Sequence, residues 1–310
     1  MLKCENYLLE VDLDGQKAKS WVLENKSRLL SHLDSIGAIR IRGLNISSSR
    51  QFGQLLTELF GSELLSYEYR STPRTELRGN VYTATEYRAD QTIVQHNEQA
   101  YTNSWPMKIG FCCMYPSTSG GQTPIADSRV IYQCLNKDIR DKFSRLGVTY
   151  VRYYSELDLP WKEVYNTHSK EVVEQFCRDN FIEFTWFGEE LMTKQTLPAI
   201  QNHPVTKEPL WFNQAHLFHS SSLDAGVREE LMSSRGVEKL PRNTFYGDGS
   251  VIEDSVIQEI NNTYEQHRLI YDWQKGDVML LDNMLFSHGR MPFSGERQVL
   301  VGMTDAYSLM

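Results

Sequence analysis

Two residues two apart, His96 and Glu98, and one far downstream, His288, are the side chains in this sequence best suited to hold a metal ion. In an extended segment side-chain direction repeats every second residue. Within Val94-Gln95-His96-Asn97-Glu98 the imidazole and the carboxylate would therefore share a face. A third ligand should then come from another strand. His288 follows Lys275-Gly276-Asp277-Val278-Met279-Leu280-Leu281-Asp282-Asn283, a turn and an apolar strand ending in polar residues. Two imidazoles and a carboxylate on one face of an octahedral ion leave three adjacent positions open, which suits Fe(II) taking an organic co-substrate and O₂ together. Alone, His-x-Glu is a common tripeptide, equally compatible with a core or surface histidine beside a solvated glutamate.

Two further features accompany the triad. Gly120-Gly121-Gln122-Thr123-Pro124 lies between the first pair and His288, and Arg297 follows His288. A 2-oxoglutarate molecule chelating iron leaves its distal carboxylate in need of a cation and a hydroxyl donor. Arginine's fork matches a carboxylate, and threonine supplies the second hydrogen bond. Taken singly, the glycine pair reads as a turn and the arginine as a surface residue.

The elements that must position these residues are mixed. Residues 18–36 have apolar positions at helical spacing (Trp21, Val22, Leu29, Leu30, Leu33), with Gly37 as a stop. Residues 38–43 alternate as a strand, and Ser47 to Ser49 would cap a second helix ending at Gly61. Residues 67–80 are polar and Arg-rich, and read as a loop. Short strands follow to about Ser128, where Asp127-Ser128 opens a helical stretch to about Leu146. Strands are expected at 148–154, 182–187, 278–281 and 299–303, and helices at 170–179 and before His267. No repeat or linker interrupts the chain, so 1–310 is expected to be a single domain with a β core and peripheral helices.

Composition narrows the class. The chain has 310 residues, 40% apolar and 23% charged, within the globular range. Its formal charge of −8, from 32 basic and 40 acidic side chains, argues against a general nucleic-acid binder. Five cysteines lack any CxxC spacing, and Cys112–Cys113 lies in a strand-like run whose neighbours face opposite ways. Reduced core thiols are the expectation. The stretch MLKCENYLLEVDLDGQ is broken by charges and does not read as a signal peptide, and no apolar run approaches a membrane span. A cytoplasmic location is expected.

Taken in order, these segments resemble the taurine dioxygenase family, within the clavaminate synthase-like Fe(II)/2-oxoglutarate oxygenases. They are most similar to the branch encoded with nonribosomal peptide synthetases, typified by the syringomycin aspartyl hydroxylase. The resemblance is carried by Tyr82 to Tyr87, His96-Asn97-Glu98, Ser104-Trp105-Pro106, Gly120 to Arg129, Trp211 to His219, Tyr246 to Gly249, Gly276-Asp277-Val278 and His288 to Phe293, across roughly residues 80 to 305. It implies an α+β protein with a double-stranded β-helix (jelly-roll, cupin-like) core. It also implies His96, Glu98 and His288 as metal ligands, with Thr123 and Arg297 holding 2-oxoglutarate. Many relatives have Asp where Glu98 stands. A retained carboxylate disfavours halogenation, since related halogenases lose that ligand to admit chloride.

The implied reaction consumes 2-oxoglutarate and O₂, releases succinate and CO₂, and oxidises an unactivated C–H bond. Hydroxylation, desaturation and ring closure all remain open. The implied substrate is an amino acid, free or tethered to a peptidyl carrier protein. Asn213, Gln214 and His216 are candidates for its head group, though the same segment reads as a strand with a core histidine. Tyr101, Asn103 and Trp105 follow the ligands and could line the pocket. Arg290 suits either a substrate carboxylate or a structural ion pair, and Arg70, Arg74 and Arg78 either a lid or a solvated loop. Two other classes compete with this reading: a zinc hydrolase using His216 and His219, and a non-catalytic cupin-like binding module.

Overall fold

The computed structural model describes residues 2–5, 8–13, 18–66, 69, 74–84 and 87–309. Its largest sheet has eight strands, in the order Leu2–Glu5, Leu8–Asp12, Ala38–Arg42, Val278–Asp282, Ser104–Tyr115, Gln298–Ser308, Val81–Thr83 and Glu76–Arg78. All neighbours pair antiparallel except Leu8–Asp12 with Ala38–Arg42. A three-stranded antiparallel sheet sets Phe286–Arg290 between Ile93–His96 and Ile125–Asp127. A four-stranded sheet joins Glu183–Phe187, Glu190–Leu197, Val148–Tyr154 and Arg242–Tyr246.

The long strand Ser104–Tyr115 shows why its sequence is apolar without alternation. Ile109, Phe111 and Cys113 pack into a core shared with Ile125, Met279 and Phe286. Cys112 and Met114 face the opposite core, with Phe52, Leu56 and Leu33 from the N-terminal helices. A strand buried on both faces has no polar face to reveal its period. Cys112 and Cys113 thus point to opposite sides and are both free. Burial pushes each thiol up to about 12. Gly110 sits where a Cβ would meet Leu56 Cδ2 at 2.6 Å, so the helix Ser49–Phe60 needs glycine here to pack this closely.

Several expected boundaries hold. Ser48 accepts a hydrogen bond from Gln51 N at the start of Ser49–Phe60, which ends at Gly61 with φ +77°. Lys170–Asp179 and Asp254–His267 are helices. Two expected helices are each broken in two. Residues 18–36 form Ala18–Glu24 and Lys26–Ser35, divided at Asn25, whose side chain donates to Trp21 O at 2.9 Å. Residues 128–146 form Ser128–Cys134 and Lys137–Leu146, because Leu135 turns extended and Asn136 caps the second helix through Asp138 N. In the expected loop, Glu76–Arg78 is a short edge strand, and Arg70 lies outside the described residues.

Candidate metal centre and its cavities

The three-stranded sheet brings the distant histidines together. His288 pairs directly opposite His96 across the antiparallel ladder, with ring centroids 4.6 Å apart. Glu98 lies beyond the end of its strand, at the start of a turn whose next residue, Gln99, has φ +56°. One ligand atom from each of His96, Glu98 and His288 falls within 4.8 Å of the others, and all three residues are buried.

The backbone around Glu98 is fixed by Asn283, at the end of the strand Val278–Asp282. Asn283 Oδ1 accepts from Glu98 N at 2.6 Å, and its Nδ2 donates to Glu98 O at 2.9 Å and to Pro106 O at 2.8 Å. Asn97 Nδ2 donates to Ser128 Oγ and to Asn283 O. These clamps hold a turn in place as a strand ladder would. Sequence reasoning missed Asn283, although a polar pair closing an apolar strand was its signal.

Electrostatics prepare the donors. His96 Nδ1 lies 2.8 Å from Val94 O, so the tautomer that donates there leaves Nε2 as an acceptor. Burial, with His288 beside it, pushes the His96 imidazole down to about 3, so it is neutral at physiological pH. Burial alone would raise the Glu98 carboxyl, but Arg74, His288 and His96 together hold it well below the ordinary carboxylate range. Arg74 Nη2 donates to Glu98 Oε2 at 2.6 Å, and His288 Nε2 is 3.7 Å from the same oxygen. Two imidazoles and an ionised carboxylate, converging and buried, are a donor set that fits a divalent transition metal.

Two cavities meet at the triad. The narrow one, about 30 Å³, is lined by His96, His288, Thr123, Arg297, Arg74 and Arg290, among others. Thr123 Oγ1 accepts from Trp273 Nε1 at 3.0 Å, leaving its own hydroxyl proton to donate. Arg297 Nε donates to Gly121 O at 2.9 Å, and burial pulls its guanidinium down to about 10, still charged at neutral pH. Gly121 has φ +72°, and a Cβ there would lie 3.0 Å from Arg297 Cδ and Nε, so the glycine admits the arginine. The wide cavity, about 820 Å³, borders His96 and Glu98 and has mostly apolar walls, including Leu157, Leu217, Phe218 and Leu223.

The expected substrate residues are dispersed. Gln214 lines the wide cavity, with Nε2 donating to Asn97 O at 2.6 Å. Asn213 is not among the residues lining it: Nδ2 donates to Ala199 O while Oδ1 accepts from Ala215 N, at the start of the short helix Ala215–Phe218. The segment 211–219 is thus mainly a helical turn, its aromatic residues buried because they face the core. His216 is bound through Nε2 to Gln95 O and lies against Tyr264. Tyr101 donates to Tyr69 O and backs Phe218. Asn103 and Trp105 line a different cavity of about 300 Å³, Trp105 lying between Phe212 and Tyr307. Arg290 lines the narrow cavity, and its guanidinium donates to the carbonyls of Tyr87, Arg88 and Gln91 rather than forming an ion pair. His219 is held by Ser221 and Ile252 O, and among the described residues neither it nor His216 joins a cluster of potential metal ligands.

Comparison with known proteins places the chain. The family model described as taurine catabolism dioxygenase TauD, TfdA family matches residues 7–304, so the chain belongs to this family. Its enzymes are oxidoreductases that use Fe(II), 2-oxoglutarate and O₂, and this chain is one of them. It is 39% identical to the dapdiamide synthesis protein DdaC of Enterobacter agglomerans, over 88% of this chain and 83% of the relative. It is 31% identical to a clavaminate synthase-like protein of Arabidopsis thaliana, over 90% and 84%. The fold is shared with a taurine dioxygenase structure from Burkholderia xenovorans at a TM-score of 0.53 and 13% identity, covering 100% of this chain and 94% of that one. No described helix is long and apolar enough to cross a membrane.

Proposed function

We propose that the protein hydroxylates an unactivated C–H bond of an amino acid, free or carried as an aminoacyl group on a peptidyl carrier protein, in nonribosomal peptide-type specialised metabolism. The observation that carries this reading is a buried triad opening on two unlike cavities. In it, His96, Glu98 and His288 hold iron, and Thr123 with Arg297 receives the distal carboxylate of 2-oxoglutarate. The eight- and three-stranded sheets facing each other across the Phe111–Phe286 core are read as the two walls of a double-stranded β-helix, within a single domain spanning 1–310.

Bound Fe(II), with 2-oxoglutarate and O₂, supplies the oxidising chemistry. The chain's own contribution is placement. Arg297 offers a charged fork and Thr123 a hydroxyl proton to one dicarboxylate end. Entry of a five-carbon dicarboxylate into so narrow a space requires lining side chains to give way. Gln214, Leu217 and Phe218 then orient the organic substrate and keep water from the reacting carbon. Resemblance to a dapdiamide synthesis protein supports an amino-acid-derived substrate. On the wide cavity's wall Asp158 and Arg242 pair with each other, with hydrogen bonds at 2.6 and 2.8 Å.

The test is succinate formation from 2-oxoglutarate by purified protein with Fe(II) and ascorbate. A panel of free and carrier-bound amino acids is then followed by mass spectrometry for a 16-dalton gain. A 2-dalton loss would redirect the reading to desaturation or ring closure. No succinate under any condition would favour a non-catalytic binding module.

A further inference from the structure

We propose that Arg74 is a positioning residue that sets the orientation of the metal-binding carboxylate of Glu98, an inference resting on the reading of His96, Glu98 and His288 as ligands. The backbone of Glu98 is clamped by Asn283, but that clamp stops at the main chain. The last side-chain torsion of a glutamate has a broad, roughly two-fold profile, so nothing intrinsic decides which way the carboxylate plane faces. Arg74 Nη2, 2.6 Å from Oε2, makes that decision.

Three observations favour this over a chance ion pair. Both side chains are almost fully removed from solvent, at 3% and 4% exposure, so the contact is not a screened surface bridge of little consequence. Arg74 emerges from a fixed point, since Thr75 is tied to Thr83 by Thr83 N to Thr75 O at 2.9 Å and Thr75 N to Thr83 Oγ1 at 3.0 Å. Of the three arginines lining the narrow cavity, Arg74 is the one whose guanidinium touches a proposed ligand. Arg290 is engaged with backbone carbonyls and Arg297 with Gly121 O. Groups that hydrogen-bond a metal ligand orient it and tune its affinity, and their removal typically costs roughly 10–100-fold; Arg74 holds the oxygen of Glu98 that also faces His288.

Binding of Mn(II) to metal-free full-length protein, followed by electron paramagnetic resonance, reads this directly without turnover. R74A should bind Mn(II) roughly 10–100-fold more weakly. R74K, which keeps a charge but lacks the planar fork, should also bind more weakly. Guanidinium ion added to R74A should restore part of the lost affinity. R74A with a native circular dichroism spectrum and wild-type Mn(II) affinity overturns the proposal, as does R74A that binds more tightly. If R74A does not fold, R74K decides: weaker binding supports the role and unchanged binding overturns it. E98A is the control on the underlying reading. If E98A binds Mn(II) as the wild type does, Glu98 is not a ligand, and both the ligand set and the role of Arg74 fall. If E98A loses Mn(II) and R74A does not, the ligand set stands and only Arg74 is wrong.

Discussion

The two cavities that meet at the triad are built from different material. The narrow one is bounded by strands and by polar groups already committed in direction: Thr123 by Trp273, Arg297 by Gly121, Arg290 by three carbonyls. The wide one is walled largely by residues between the strands, such as Leu157, Leu159, Leu223 and Asp224, and is mostly apolar. Strand register fixes His96, Phe111, His288, Arg290 and Val301 around the first, whereas loops and short helices can be exchanged without disturbing the sheets. On the proposed assignment, the end that receives 2-oxoglutarate is the more constrained and the end that receives the organic substrate the more exchangeable.

Four measurements would break or sharpen this contrast. The largest effect is expected for H96A and E98A, which should lose iron-dependent succinate formation by more than the roughly 100-fold of an outer-shell change while keeping a native circular dichroism spectrum. Retained turnover would remove the residue from the ligand set. Next, R297A should raise the 2-oxoglutarate KM by roughly 30-fold or more, since truncating one partner of a buried charged pair costs about 2 kcal/mol or more. An unchanged KM would mean the co-substrate lies elsewhere.

N283A should act on stability before chemistry. It strips partners from Glu98 N, Glu98 O and Pro106 O, and each unsatisfied buried group costs about 1–3 kcal/mol. Thermal unfolding should show a clear drop in midpoint, and a midpoint equal to wild type would contradict the clamp. The smallest effect is expected for L217A on the wide cavity. It should shift KM for the organic substrate with the 2-oxoglutarate KM untouched, and a change in both would show that the cavities are not independent.

What could be read in the residues divides along the same line. That His96, Glu98 and His288 could converge was legible from their chemistry, but strand periodicity was not what placed Glu98, which lies in a turn beyond Ile93–His96 held by Asn283. The boundaries of Ser49–Phe60 were legible because a serine caps its start and Gly61 ends it. The break at Asn25 was not, since the apolar period runs on through it and only the side-chain bond to Trp21 O marks the stop. Trp211 to His219 was misjudged because buried aromatics suit a strand or a packed turn equally. Trp105 and Asn103 follow the ligands in sequence, yet the chain has turned by then and they line another cavity. Arg74 and Asn283 act through the ligand rather than as ligands, and nothing in their own neighbourhood announces Glu98 as the partner.

The cross-strand pairing of His288 with His96 has a last consequence. A side chain changes face with every residue of slip, so displacing Phe286–Arg290 by one position would turn the imidazole away from its partner and bring a neighbour in its place. Affinity for the ion is thus a measure of alignment. A single-residue insertion between Asn283 and His288 should abolish metal binding even where the sheet still forms, whereas a lengthened loop at 155–160 should be tolerated. The ion, once bound, would in turn lock the alignment, making correct pairing of the three short strands the state that metal selects.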